Sequence, residues 1–471
     1  MVRRTRLLAL ATLATINVIT LVAGIAVARM LPARLAALRI DSVAAGRVAV
    51  AGPVLAAGKD GPLPTASGLA AALSGPLSSA QLGPQVLAIV TNPLTGQVLY
   101  AKNDLTLATP ASTAKLATAT AALAVLGAGA RFTTRVVSPR AGTVILVGGG
   151  DPVLAVQPYP AGDYPRPATL AALAAATARS VKASGRTSVQ LGFDTSLYSG
   201  PGLAPGWPAS YVSTGNVTNI VSLEVDQGRL NAAGNPEDSD DAGNFTPRAA
   251  DPAQMAAAAF ARLLSADGIK VSGQVSEQTA PAGASTLAQV SSPPLSAIVD
   301  QMLAESNNVI AENLARHVAI STGYPATFAG GAAAVTAELR KLGVSTGFDM
   351  VDGSGLSPQD AVAPATLAKL VQLAVMQPRL RSLLDALPVA GFSGTLARGG
   401  SAFGGISGTA LGMVRAKTGN LATVTTLAGL AYDKDGTLIA FAFMADQVAS
   451  LDGAATAIDD AASALAGCGC R

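Results

Sequence analysis

TPASTAKLATATAALAVLG, residues 109–127, holds one charged side chain, Lys115, among apolar, small and hydroxyl residues. The composition predicts a helix built for burial that stops at Gly127. Ser112 stands three residues before Lys115, and positions three apart share one helix face. A serine hydroxyl is a poor nucleophile near neutral pH and needs a base beside it. A lysine held away from water loses its preference for the charged form, so its amine can take the serine proton. Free N–H groups and partial positive charge at the helix start favour an anion there. Ser112 and Lys115 are therefore a candidate nucleophile and base. The competing reading is a lysine that snorkels to the surface, and S-x-x-K spacing alone does not choose between the two.

Composition narrows the chemistry around this pair. The chain has 471 residues, a length that suggests about three domains. Half the residues are hydrophobic, enough for a large core. A net charge of +3, with no basic run interleaved with aromatics, argues against a nucleic-acid partner. His317 is the one histidine, so a Ser-His-Asp triad or a zinc site would rest on it entirely. Cys468 and Cys470 are the two cysteines. A lone C-x-C is a poor metal site and a tight loop for a disulfide, and the cysteine-free body excludes thiol catalysis. No metal or cofactor is expected.

At the N-terminus, Arg3, Arg4 and Arg6 precede an uncharged run from Leu7 to Ala28. Its 22 residues exceed the apolar core of a usual signal peptide and suffice to span a bilayer. Ala26-Val27-Ala28 also suits a signal peptidase. Both readings, anchor and cleaved signal, export the rest of the chain, and the anchor fits the run length better. Residues 1–31 are thus a signal peptide or transmembrane anchor, and the Ala/Gly/Pro-rich residues 32–61 a linker.

Order is expected from Ala66. VLAIVTN and QVLYAKN flank PLTG and predict a hairpin turning at Gly96. From 131 to 286, short pieces such as RFTTRVV, TVILVGG and SVQLGF alternate with Gly/Pro/Asp loops, GNPEDSDDAGN among them. DPAQMAAAAFARLLSADG adds a helix capped by Asp251 with Pro252 in its first turn. Ser296 to Thr322 reads as helical. PATLAKLVQLAV reads as a helix, and LGMVRAKTG, ATVTTLAGLAY and LIAFAFMAD as strands, with DKDGT as a hairpin turn. The fold class is α/β (α+β): a catalytic domain over 62–130 and 287–465, split by a mostly β insert over 131–286, with a tail over 466–471.

Two further triplets follow the first motif in order. Ser306-Asn307-Asn308 fits S-x-N and Lys417-Thr418-Gly419 fits K-T-G, the set that accompanies S-x-x-K in β-lactamases and penicillin-binding proteins. Ser306 can relay a proton between Lys115 or Lys417 and a leaving amine. Asn308 can hold Lys115 and a substrate amide. Lys417 can supply positive charge for a carboxylate, and Thr418 a hydroxyl beside it. Gly419 lets a strand approach closely. The backbone N–H groups of Ser112 and Asn420 can form an oxyanion hole, typically about 3 kcal/mol per donor. His317 reads as core or surface, Asp151 and Asp194 as loop caps, and Asp352 as a turn cap. Gly148–Gly150 lacks the Gly-Lys-Ser/Thr ending of a phosphate loop.

With PASTAKL, LVGGGDPVL, SNNVIAENLARHVA, DGSGLSPQD and AKTGNL, the chain resembles the D-alanyl-D-alanine carboxypeptidase/endopeptidase family. These are the class C low-molecular-mass penicillin-binding proteins, among the serine penicillin-recognising enzymes. The resemblance runs from Leu63 to Leu465 and includes the wide gap between the first two motifs. It implies a transpeptidase/β-lactamase-like domain with an antiparallel sheet between helices. It further implies cleavage of D-Ala-D-Ala in peptidoglycan stem peptides through an acyl-enzyme on Ser112, with β-lactam antibiotics as covalent inhibitors. Asn420 departs from the serine or threonine usual after K-T-G. Two alternatives stand beside this reading. A β-lactamase or esterase on the same fold needs fast deacylation, and no glutamate at fixed spacing announces it. A non-catalytic cell-wall-binding protein has no need of all six side chains Ser112, Lys115, Ser306, Asn308, Lys417 and Thr418.

Overall fold

Two strands that alternate little and bury both faces mark the centre of the molecule. In the computed structural model, β12 (Val424–Tyr432) and β13 (Leu438–Asp446) are buried along all but their last residue. A strand covered on both faces has no use for polar alternation, which is why VTTLAGLAY and LIAFAFMAD read as nearly continuous small and apolar runs. The structure describes residues 61–470, apart from 161–163, 232, 235, 237–245 and 398–404. The expected leader or anchor and nearly all of the linker lie outside the described residues, as does most of GNPEDSDDAGN. Among the described residues, no helix is long and apolar enough to cross a membrane.

The central sheet has five strands in the order β11-β12-β13-β1-β2, with β1 Gln85–Thr91, β2 Val98–Lys102 and β11 Val414–Leu421. Every pairing in it is antiparallel. The first two strands come from the start of the described chain and the other three from its end, so the sheet closes across the whole sequence. The α1 helix (Ala66–Ser74) and the α9 helix (Leu451–Gly467) pack on one face, where Phe441, Phe443, Ile458 and Leu465 share a core. The α8 helix (Pro364–Met376) lies against β1 and β13, and α2 (Lys115–Leu126) packs on α8. Around α2 stand α5 (Leu295–Ala304), α6 (Asn308–Thr322) and α7 (Phe328–Lys341). From Lys115 to Leu123 every residue of α2 is buried, as a helix without a polar face must be.

A second sheet of six strands is formed within residues 133–291, in the order β6-β5-β4-β3-β8, with β7 on β5. Its longer strands are β3 Thr133–Arg140, β4 Thr143–Val147, β5 Ser188–Asp194 and β8 Ser285–Ser291. The short β6 is Lys270–Val271 and β7 Ser276–Glu277, while β9 (Phe348–Asp349) and β10 (Ala361–Val362) pair apart as a small antiparallel sheet. Parallel pairing of β4 with β5 requires a crossover, and α3 (Leu170–Ala183) supplies it. The α4 helix (Pro252–Ala266) packs beside α3. The Asp251 carboxylate caps α4 by accepting from Gln254 N. A strand-and-loop reading of this region places α4 but not α3.

Three local details differ from the sequence reading. Ser112 sits in a 3-10 turn, Ala111–Ala114, and the α-helix starts only at Lys115. The helical stretch from 296 to 322 is broken at Ser306, whose φ is +59°, so α5 and α6 are separate. Cys468 and Cys470 are joined as a disulfide, short as the loop is. The disulfide loop belongs to the core rather than to a loose tail: both cysteines pack on the α1–α9 cluster, and the Cys470 carbonyl accepts from Thr65 N at 2.7 Å.

Candidate active site

Ser112 is presented by a strained turn. Ala111 before it has φ +46°, a conformation that residues with a Cβ rarely adopt. Thr113 Oγ1 donates to the Pro110 carbonyl at 2.7 Å. Two glycines let neighbours grip this turn. A Cβ on Gly355 would lie 1.9 Å from the Ala111 carbonyl oxygen, and one on Gly419 would lie 3.0 Å from Ser112 N. Gly355 also has φ +81°. The turn is thus held between the loop after Asp352 and strand β11.

Lys115, one residue after the turn, is 0% exposed. Its Nζ donates to Asn308 Oδ1 and to the Ser354 carbonyl, both at 2.7 Å, and lies 2.8 Å from Ser112 Oγ. Burial lowers the Lys115 pKa to about 7, against the opposing pull of Asp352, Glu312 and Asp360. Asn308 opens α6, and its Nδ2 donates to the Asn216 carbonyl at 2.9 Å.

Lys417 lies on β11 and is also 0% exposed. Its Nζ donates to Ser306 Oγ and to the Thr418 carbonyl, each at 2.8 Å. Burial and the nearby Lys115 push its pKa well below the usual lysine value. The Lys417 amine is thus enclosed beside Ser306, and two of the three N–H bonds of its charged form are taken up by Ser306 Oγ and the Thr418 carbonyl. The Thr418 hydroxyl lies 2.8 Å from that of Thr395. Asn420 is exposed on the same strand. The residues expected at the site therefore fall into two linked sets, Ser112–Lys115–Asn308 and Ser306–Lys417–Thr418, with Gly419 pressed on the Ser112 turn.

Several participants escaped the sequence reading. Ser354 and Asn216 act through backbone carbonyls, which any residue has, so no letter announces them. Asp352 was legible as a turn cap but does more. Its carboxylate accepts from Ser354 N at 2.9 Å, Gly355 N at 2.7 Å, Ser357 N at 2.8 Å and Trp207 Nε1 at 2.9 Å. These bonds aim the Ser354 carbonyl at Lys115. Glu312 supports the loop from α6, accepting from Gly353 N at 3.0 Å. Burial and Asp352 raise the Glu312 pKa to about 8 although Arg316 opposes the shift. His317 is core, stacked on Phe132 at 3.8 Å between ring centroids, with Nε2 2.8 Å from the Gly150 carbonyl. Asp151 and Asp194 cap loops, accepting from Val153 N and Ser196 N.

The arrangement has known counterparts. The model of the D-Ala-D-Ala carboxypeptidase 3 (S13) family matches residues 69–243 and 218–466. A carboxypeptidase of Mycobacterium tuberculosis is 36% identical over 416 residues, covering 86% of this chain and 85% of the relative. The crystal structure of penicillin binding protein 4 from Haemophilus influenzae superposes with a TM-score of 0.66 at 23% identity, covering 82% of this chain and 98% of that one. Its complex with a β-lactam gives a TM-score of 0.60 at 25% identity, over 83% and 97% of the two chains. The fold, the ordered motifs and these matches agree: the chain belongs to the D-Ala-D-Ala carboxypeptidase 3 (S13) family of serine-type peptide hydrolases.

Proposed function

We propose that the protein is an exported enzyme that removes terminal D-alanine from peptidoglycan stem peptides, through an acyl-enzyme on Ser112. One observation carries this reading: the enclosed Lys115 amine lies 2.8 Å from Ser112 Oγ with two carbonyl acceptors on its other sides. A neutral amine has two N–H bonds and one lone pair. With both N–H bonds given to Asn308 Oδ1 and Ser354 O, the lone pair faces Ser112, whose hydroxyl donates to it. A pKa of about 7 keeps much of Lys115 neutral at physiological pH, as a general base requires.

In the proposed reaction, Ser112 Oγ attacks the carbonyl of the D-Ala-D-Ala bond as Lys115 takes its proton. The backbone N–H groups of Ser112 and Asn420 stabilise the oxyanion, which typically contributes about 3 kcal/mol per donor. Ser306, backed by Lys417, delivers a proton to the departing D-alanine amine. The Thr418 hydroxyl, paired with that of Thr395, faces the substrate carboxylate with Asn420, and Lys417 stands behind them as the cation of this strand. Water then cleaves the ester. A β-lactam enters the same path and stops at the ester, a reading supported by the drug-bound relative. Arg3, Arg4, Arg6 and the apolar run to Ala28 support export, with that segment as membrane anchor or cleaved signal.

The test is to incubate the enzyme with a stem pentapeptide ending in D-Ala-D-Ala and, separately, with a cross-linked stem dimer. D-alanine release from the pentapeptide, absent in Ser112→Ala, is the expected result. Cleavage of the dimer adds endopeptidase activity. A folded protein that acts on neither substrate contradicts the reading.

A further inference from the structure

The Ser306–Asn308 turn makes two side-chain contacts that lead back to a single buried residue far from it in sequence. Arg248 is 8% exposed. Its Nε and Nη2 donate to the Gly215 carbonyl at 3.2 and 2.9 Å, and its Nη1 donates to the Gln227 carbonyl at 3.2 Å. Beside each gripped carbonyl is a group that touches the turn. The Asn216 carbonyl accepts from Asn308 Nδ2 at 2.9 Å, and Gln227 Oε1 accepts from Asn307 Nδ2 at 2.8 Å. We propose that Arg248 is a positioning residue for acylation, fixing Asn308 and Ser306 through these two loops at once. The inference rests on the reading of Ser112 as the acylated nucleophile.

The first arm decides which way the Asn308 amide faces. Rotated by half a turn, the amide would turn its NH2 toward Lys115 and its oxygen toward the Asn216 carbonyl, losing both bonds. Held as it is, Asn308 gives Oδ1 to Lys115 and one N–H to Asn216, and keeps its second N–H for a substrate. The second arm steadies backbone in an unfavourable region. Ser306 and Gln227 have φ of +59° and +53°, conformations that persist only where the surroundings over-determine them. Asn307 follows Ser306 directly, caps α6 through Ile310 N at 3.1 Å, and is pinned by Gln227. The planar guanidinium spans two carbonyls with a rigid fork, a geometry an ammonium reproduces only in part.

The experiment measures acylation by a fluorescent penicillin over a range of concentrations, with the full chain, alongside thermal melting. Arg248→Met is expected to lower the limiting acylation rate about tenfold or more and to change the half-saturating concentration less than about threefold, because geometry at the reacting atoms is lost rather than binding. Arg248→Lys should recover part of the rate. In an Asn308→Ala background, Arg248→Met should cost only about threefold, the share of the second arm, since the first arm acts through Asn308. Gln227→Gly keeps the carbonyl that Arg248 grips and tolerates the positive φ, so it loses only the second arm; it should slow acylation by about threefold, with a smaller loss of melting temperature than Arg248→Met. Wild-type rates in Arg248→Met, or a full-size additional loss in the Asn308→Ala background, overturn the proposal. If Arg248→Met fails to fold, wild-type rates in Arg248→Lys and Gln227→Gly overturn it. An unlabelled wild type overturns the acylation reading itself, whereas a labelled wild type with unaffected variants overturns only the role of Arg248.

Discussion

Every bond of the Lys115 amine is to an oxygen, although no part of the side chain reaches solvent. Enclosure, more than any neighbouring charge, brings its pKa to about 7, since the carboxyls of Asp352, Glu312 and Asp360 all pull the other way. The sign of the pH dependence follows. A base acts only when neutral, so acylation should rise with pH through about 7 and then level off, with a loss of about tenfold per pH unit well below the midpoint. The second-order rate of penicillin acylation against pH checks this. A flat profile from pH 5 to 8 would mean that another group takes the serine proton. At this scale much was legible: S-x-x-K, S-x-N and K-T-G name the candidate side chains that the fold brings together, because only those residue types carry a nucleophile, amines and an amide. The backbone carbonyls of Ser354 and Asn216 were not legible, and neither was the enclosure of the Lys417 amine beside Ser306.

Among the elements, the decisive one is the short turn Ala111–Ala114, clasped between β11 and the Asp352 loop. Its strained Ala111 is held because Gly355 and Gly419 allow backbone to approach where a side chain would collide. Gly355→Ala puts a Cβ 1.9 Å from the Ala111 carbonyl oxygen and on a residue at φ +81°. The turn must shift, and a displacement near 1 Å at a reacting atom costs about a hundredfold in rate. Penicillin acylation of this variant should fall by about that factor, with a lower melting temperature. Acylation at the wild-type rate would mean that the loop does not hold the turn. Sequence periodicity gave the helix from Lys115 but ran it through Ser112, and it joined α5 to α6 across Ser306. Both errors have one cause. Each functional serine lies in a turn adjoining a helix, and local composition remains helix-compatible while tertiary contacts impose positive φ at Ala111 and Ser306.

Across the whole molecule, the chain leaves the central sheet after α2, builds a second sheet with its own core, and returns. The loops after β5 are not spacers. They bring the Asn216 carbonyl to Asn308, Gln227 to Asn307 and Trp207 to Asp352, and Tyr198 Oη donates to Asn313 Oδ1 on α6 at 2.9 Å. The central hairpin and the last three strands could be read from sequence because buried apolar runs are bounded there by clear turns. The α3 crossover was missed although Leu170, Leu173, Thr177 and Val181 form a buried stripe: it lacks the Asp-Pro start that announces α4 and lies among Gly/Pro loops. The seating of the Cys468–Cys470 loop on the α1–α9 core could not be read either, since it depends on a contact between Thr65 and Cys470, residues far apart in sequence. The claim that unites these scales is that the fold makes Ser112 an activated nucleophile. Intact-protein mass spectrometry after incubation with benzylpenicillin tests it most directly, with Ser112→Ala alongside. The account predicts a lasting mass increase equal to the drug in wild type and none in the variant. A folded wild type that gains no mass and leaves the drug intact would contradict it.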